Sequence, residues 1–177
     1  MKNVFSFKSM AMIIAMISMA CLSSCTPEPD APGNTKDVFE SIQLRMSSDL
    51  SEDFFGSFDV VAVIKLDGEE FLNEAVTEPS WVYNFNVKDV KVSSISCEIV
   101  AGPKKELPEY DAEKVYVMSR NAFANLKLVK DGVEFNPMFN GSITTSSLPV
   151  KGDRVKEYVA RNESVNIMSI SYDLSAY

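Results

Sequence analysis

The sequence predicts an all-β domain, an antiparallel β-sandwich of about 8–10 short strands with at most one short helix. Three observations carry this expectation. From residue 38 onward, apolar and polar residues alternate with a period of two, the mark of strands buried on one face. Turn signals interrupt the alternation at short intervals, among them Asp-Gly at 67–68 and 131–132, a dipeptide suited to two-residue hairpin turns. The alternating strand and helix patterns of a parallel sheet are missing, and no internal repeat is found.

Taken in order, Ile42, Leu44 and Met46 share one phase and open the first strand. Residues 58–66 form a longer, more fully buried strand, which Asp67-Gly68 turns back into Glu69-Glu70-Phe71-Leu72. Trp81, Tyr83, Phe85 and Val87 then alternate with Val82, Asn84, Asn86 and Lys88. The phase slips between Val92 and Ile95, so a β-bulge is expected at Ser93-Ser94. Gly102-Pro103 and Leu107-Pro108 bracket the polar Lys104-Lys105-Glu106 and mark a surface loop. Strands resume at 114–119 and 125–130, and Asp131-Gly132 leads into Val133-Glu134-Phe135. Further β segments fall at 142–148 and 165–174. The last is apolar on both faces at Ile167, Met168, Ile170 and Tyr172, as a central strand would be. At 153–161, Val155, Tyr158 and Val159 sit at helical spacing behind Asp153 as an N-cap, with a strand as the alternative.

The N-terminus reads differently. Lys2 and Lys8 precede an apolar run at 10–20, and no further charge occurs until Glu28. A run of about 11 residues is too short to span a bilayer, which takes about 20, so it reads as a secretory signal. Leu22-Ser23-Ser24-Cys25 at its end resembles the lipobox of bacterial type II signal peptides. That resemblance implies cleavage before Cys25, a diacylglycerol on its thiol, and a membrane anchor. Thr26, standing where an aspartate would imply inner-membrane retention, implies placement in the outer membrane. Residues 26–34, rich in proline and acid, form an extended solvated tether. The expected plan is therefore a signal peptide at 1–24, lipidated cysteine and tether at 25–37, and a single β-sandwich domain at 38–177. Lipobox and acidic tether together resemble small surface lipoproteins of the Bacteroidota type. An immunoglobulin-like or fimbrillin-like sandwich fits that resemblance, although fimbrillin-like pilus subunits usually have two β domains and this chain has room for one.

Composition narrows the function classes. The leader contributes Lys2 and Lys8 to the 17 bases set against 25 acids, so the mature chain carries about −10. Nucleic acid and anionic lipid headgroups need clustered cations and are excluded as partners. Cys21 leaves with the leader and Cys25 takes the lipid, so Cys97 has no partner for a disulfide; it lies on the apolar phase of a strand and reads as a buried thiol. The chain has no histidine, which removes Ser-His-Asp and Cys-His chemistry and the usual metal ligands. No phosphate-binding, dinucleotide or zinc motif occurs, so no cofactor and no metal site is expected.

What remains are contact residues. Phe135, Met138 and Phe139 lie among the loop-forming residues 135–141, an unusual place for apolar side chains, and form the first candidate contact site. Trp81, with Tyr83 and Phe85, shares one strand face that either stacks on sugar rings or builds the core. Glu109, Asp111 and Glu113 are acids spaced for a cation but lack the glycine of a calcium loop. Met138 is also the only methionine placed for haem, since Met46, Met118 and Met168 lie in strand patterns. The expected function is a non-enzymatic binding or adhesion module for a glycan or protein on an outer-membrane lipoprotein. The alternatives are a structural accessory protein of an envelope or pilus assembly, a carboxylate hydrolase, and a haem binder.

Overall fold

The computed structural model describes residues 38–177; the expected signal peptide, the expected lipidation at Cys25 and the expected tether lie outside the described residues. Among the described residues, ten strands form two five-stranded sheets, all pairings antiparallel. Sheet I runs β4 (Ser80–Lys91), β1 (Val38–Leu50), β6 (Val115–Lys130), with β7 (Val133–Phe135) and β9 (Ser146–Lys151) both paired to β6. Sheet II runs β3 (Glu69–Ala75), β2 (Phe58–Leu66), β5 (Ser94–Pro103), β10 (Val165–Asp173), β8 (Asn140–Ile143). The inward residues of the two sheets merge into one core, and the described residues form one compact unit. The sandwich read from the alternation is therefore the fold.

The period-two pattern does the placing. Ile42, Leu44 and Met46 on β1 and Leu126 and Leu128 on β6 point inward, fully buried. They meet Ala62 and Ile64 on β2, Ile95, Cys97 and Ile99 on β5, and Ile170 and Tyr172 on β10. Burying these side chains is the main force holding the sheets together. Both Asp-Gly pairs adopt the positive φ angles of type I′ turns, Asp67 at 52° and Gly68 at 84°, Asp131 at 52° and Gly132 at 72°. β10 lies between β5 and β8, and a bulge between Asn166 and Met168 turns both Ile167 and Met168 into the core. Its apolar residues on both phases are thereby explained.

Several details differ from the sequence expectation. The phase slip at Ser93-Ser94 is not a bulge within one strand: the chain leaves sheet I after Lys91 and enters sheet II at Ser94. Asp67 holds this crossing, its Oδ1 accepting from the amides of Ser93 and Ser94 at 2.7 and 2.9 Å. The segments at 114–119 and 125–130 are two ends of one 16-residue strand, β6. The segment at 142–148 is split between β8 in sheet II and β9 in sheet I.

Among the described residues there are two helices, where at most one was expected. α1 (Glu52–Ser57) is short and lacks the periodicity that would announce it. It is fixed instead by Ser51, whose Oγ accepts from Phe54 N at 3.2 Å and from Ser119 N at 2.9 Å. α2 (Gly152–Arg161) is the helix rather than the strand alternative, but its N-cap is Lys151. Asp153 sits in the first turn, where its charge favours the positive end of the helix dipole. The helix can start at Gly152 because only glycine fits there. A Cβ would stand 1.9 Å from Asp111 O, and the Gly152 amide donates to Lys114 O at 2.9 Å.

Candidate functional site

Pairing registers turn the outward side of sheet I into a grid. β4 and β1 pair Asn84 with Arg45 and Asn86 with Gln43, while β1 and β6 pair Arg45 with Asn125 and Gln43 with Lys127. Two adjacent rows therefore read Asn84, Arg45, Asn125 and Asn86, Gln43, Lys127. The row above is Val82, Ser47, Phe123, and the next is Ser80, Asp49, Asn121. Neighbours across a row lie about 4.7–4.9 Å apart along the hydrogen-bonding direction.

The rows differ in how far the protein already uses their polar atoms. Asp49 is held by Ser80 Oγ at 3.0 Å, Asn121 Oδ1 accepts from Thr145 Oγ1 at 2.8 Å, and Lys127 pairs with Glu134 at 2.6 Å. Gln43, Arg45, Asn84, Asn86 and Asn125 are exposed. Among the described residues these five side chains make no hydrogen bond or ion pair to another protein group. An open depression of about 260 Å³ lies over them, and a second of about 280 Å³ lies over Ser47, Val82 and Phe123. Phe123 is 53% exposed and Val82 49%, so this end offers an aromatic ring and an aliphatic side chain on an otherwise polar face.

Five of the ten Asn and Gln side chains among the described residues fall on this one face. An amide both donates and accepts, and on a paired strand its backbone is fixed. The face can therefore hold a ligand rich in hydroxyl or amide groups, around one guanidinium at its centre.

The residues singled out from sequence are placed elsewhere. Trp81 is 6% exposed with its ring stacked on Tyr83 at 6.1 Å, so of its two readings the core one holds. Phe135 packs edge-on against Tyr177 at 5.5 Å, and Phe139, 38% exposed, against Tyr172 at 6.2 Å. Met138 between them is 85% exposed. Residues 136–139 carry the chain from sheet I to sheet II, and buried Pro137 with the two rings pins this crossing. Phe135, Met138 and Phe139 line neither outward depression, whereas Trp81, its ring in the core, borders the one over Ser47, Val82 and Phe123. Met46, Met118 and Met168 are fully buried core residues.

Of the acids at 109–113, Asp111 serves the backbone, its Oδ1 accepting from Glu113 N at 3.0 Å, while Glu109 and Glu113 are exposed. Among the described residues, no cluster of three metal-ligating side chains occurs and no carboxylate is buried. Cys97 is fully buried, and burial pushes its thiol up to about 12. The thiolate needed for attack is thereby disfavoured. Among the described residues, no helix is long and apolar enough to cross a membrane.

Sequence reading missed Gln43, Arg45 and Asn125, because a register is needed to see that they adjoin Asn84 and Asn86. The available signal was the choice of short amides, rather than lysine and glutamate, at the outward positions of an edge strand. No family model, curated protein or solved structure matches the chain.

Proposed function

We propose that this protein is a non-enzymatic recognition module of an envelope lipoprotein, anchored through Cys25, which binds a glycan on the outward face of sheet I. The observation that carries the reading is the row Asn84, Arg45, Asn125 with its neighbours Asn86 and Gln43, all exposed and unpaired within the described domain. Sugar hydroxyls donate and accept, as amides do, and Phe123 supplies a ring on which a sugar face can stack. Placement in the outer membrane rests on the lipobox resemblance and on Thr26.

The test is a glycan array probed with the full chain and with an Asn84→Ala, Asn125→Ala double variant. Binding of a defined glycan set, lost in the double variant, supports the reading. Binding that survives the double variant but is lost in Phe139→Ala overturns the assignment in favour of residues 135–141. No binding at all overturns the glycan reading.

A second reading, an accessory protein that assembles by strand pairing, is favoured by one observation. β4 is a 12-residue edge of sheet I with no proline, interrupted only by Asp89 at φ 51°. Such an edge offers unpaired backbone groups to an added strand. Cross-linking from Lys88 on intact cells yields one defined protein partner under this reading and none under the first.

A further inference from the structure

We infer that the glycan is acidic, with a carboxylate or sulfate group that docks on Arg45; the inference rests on the reading of sheet I as the recognition face. The chain as a whole carries 25 acids against 17 bases. In such a protein a central surface arginine would ordinarily find a carboxylate of its own. Arg45 does not: its neighbours across the sheet on both sides are asparagines, Asn84 and Asn125. The acids of this sheet have other partners near them: Asp49 accepts from Ser80, Glu134 pairs with Lys127, and Glu40 accepts from the Gly132 amide. Lys88, outward on β4 beyond Asn86, adds a second cation on the same side. Arg45 is thus the one charged side chain of the two amide rows that the described protein leaves without a counter-charge, since Lys127 pairs with Glu134.

A guanidinium is a rigid planar fork that matches a carboxylate or sulfate with two parallel hydrogen bonds, and the exposed stem of Arg45 leaves it free to do so. The exposed ring of Phe123 beside the amides favours an acidic glycan over an acidic protein segment, whose backbone would meet the amides equally well. An array selected for carboxylates alone would consist of donors, whereas Asn84 and Asn125 present acceptors as well as donors within reach of the same ligand. A ring carrying both an anionic group and hydroxyls meets that mixture. Phe123 stands diagonal to Arg45 at about 7–8 Å, so one sugar can stack on Phe123 while the acid group of the same or the adjoining sugar reaches Arg45.

The test is the mobility of the full chain in native gels cast with polygalacturonate (carboxylate only), chondroitin sulfate (sulfate and carboxylate) or dextran (neutral). Retardation by one or both acidic polymers but not by dextran is expected, and which of the two acts distinguishes carboxylate from sulfate. Arg45→Gln is expected to weaken binding at least tenfold. Lys156→Gln, an equal loss of charge on exposed helix α2, is expected to change nothing. Equal retardation by dextran, insensitive to Arg45→Gln, overturns the acidic class and leaves the glycan reading standing. Retardation lost equally in both variants shows a non-specific charge effect and overturns the inference. Polyglutamate binding at least as tight as the sugars, with the same dependence on Arg45, overturns it in favour of an acidic protein partner. No retardation, together with a blank glycan array, overturns both readings.

Discussion

The outward faces of the two sheets have the same obligations to the fold and look unlike each other. On sheet II, the row Asn73, Val63, Glu98, Ser169, Ser142 crosses all five strands, and its three central members are half-buried. Val61, Lys65, Ser96 and Val100 around them are half-buried too. At the equivalent central positions of sheet I, Gln43, Arg45 and Asn125 are exposed, with Ser47 and Lys127 beside them half-buried. Inward, the sheets are alike, each lined by aliphatic residues at every second position. Folding constrains the inward phase tightly and the outward phase weakly, since outward substitutions away from special features change stability by about 0.5 kcal/mol or less. The contrast between the outward faces is therefore one that stability does not require, and this is why sheet I is read as the functional face.

The comparison can be broken or sharpened in order of effect. Core truncations treat the sheets alike: Leu126→Ala in sheet I and Ile99→Ala in sheet II each cost about 2–5 kcal/mol, read as falls in the urea midpoint. A loss confined to one sheet would mean that the two do not share a core.

Two close approaches come next. Gly152→Ala and Gly141→Ala place a methyl 1.9 Å and 2.2 Å from the carbonyl oxygens of Asp111 and Ser169, and Gly141 also has φ 122°. Each costs about 1–3 kcal/mol or more on thermal unfolding, as overpacking does. Gly68→Ala, with open space around it, is limited to backbone strain of about 1–2 kcal/mol.

Alkali probes burial in sheet II. Cys97 and Tyr172 lie on neighbouring strands of sheet II, and burial raises both above their ordinary values, Cys97 from 9.0 to about 12. A raised folded value favours the protonated form in the native state. The stability it confers is fully present below pH 9 and is lost as pH rises from there toward 12. Chemical denaturation across this window shows falling stability, with a shallower fall in Cys97→Ala. At pH 8 the native thiol resists a disulfide reagent that labels it rapidly in urea.

The smallest effects carry the functional contrast. Arg45→Gln on sheet I and Ser96→Ala on sheet II each shift stability by about 0.5 kcal/mol or less. Only the first lowers ligand affinity.

Architecture was legible from the alternation because side-chain direction in a strand is a local property. The hairpins at Asp67-Gly68 and Asp131-Gly132 were legible for the same reason, the turn residues carrying the geometry themselves. Sheet membership was not. Nothing local tells Ser94 that it begins a strand of the other sheet, or that the segment at 142–148 divides between sheets at residues 144–145. α1 was hidden because its six residues are held by Ser51 and by strand β6, contacts distant in sequence. The candidate site was hidden more deeply. Phe135 is half-buried against Tyr177, and Phe139, though beside Tyr172, stays exposed as the loop sequence suggests, whereas Arg45 and Asn125 are ordinary surface residues until a register of 80 residues' separation sets them side by side.

The most direct test is to follow the side-chain amide resonances of the full chain in an NMR titration with oligogalacturonate. The account predicts shifts for the NH₂ groups of Asn84, Asn86, Asn125 and Gln43 and none for Asn73, Asn140 and Asn166, which belong to sheet II. Shifts confined to the second set, or to Asn136 beside Met138, would place recognition elsewhere and contradict it.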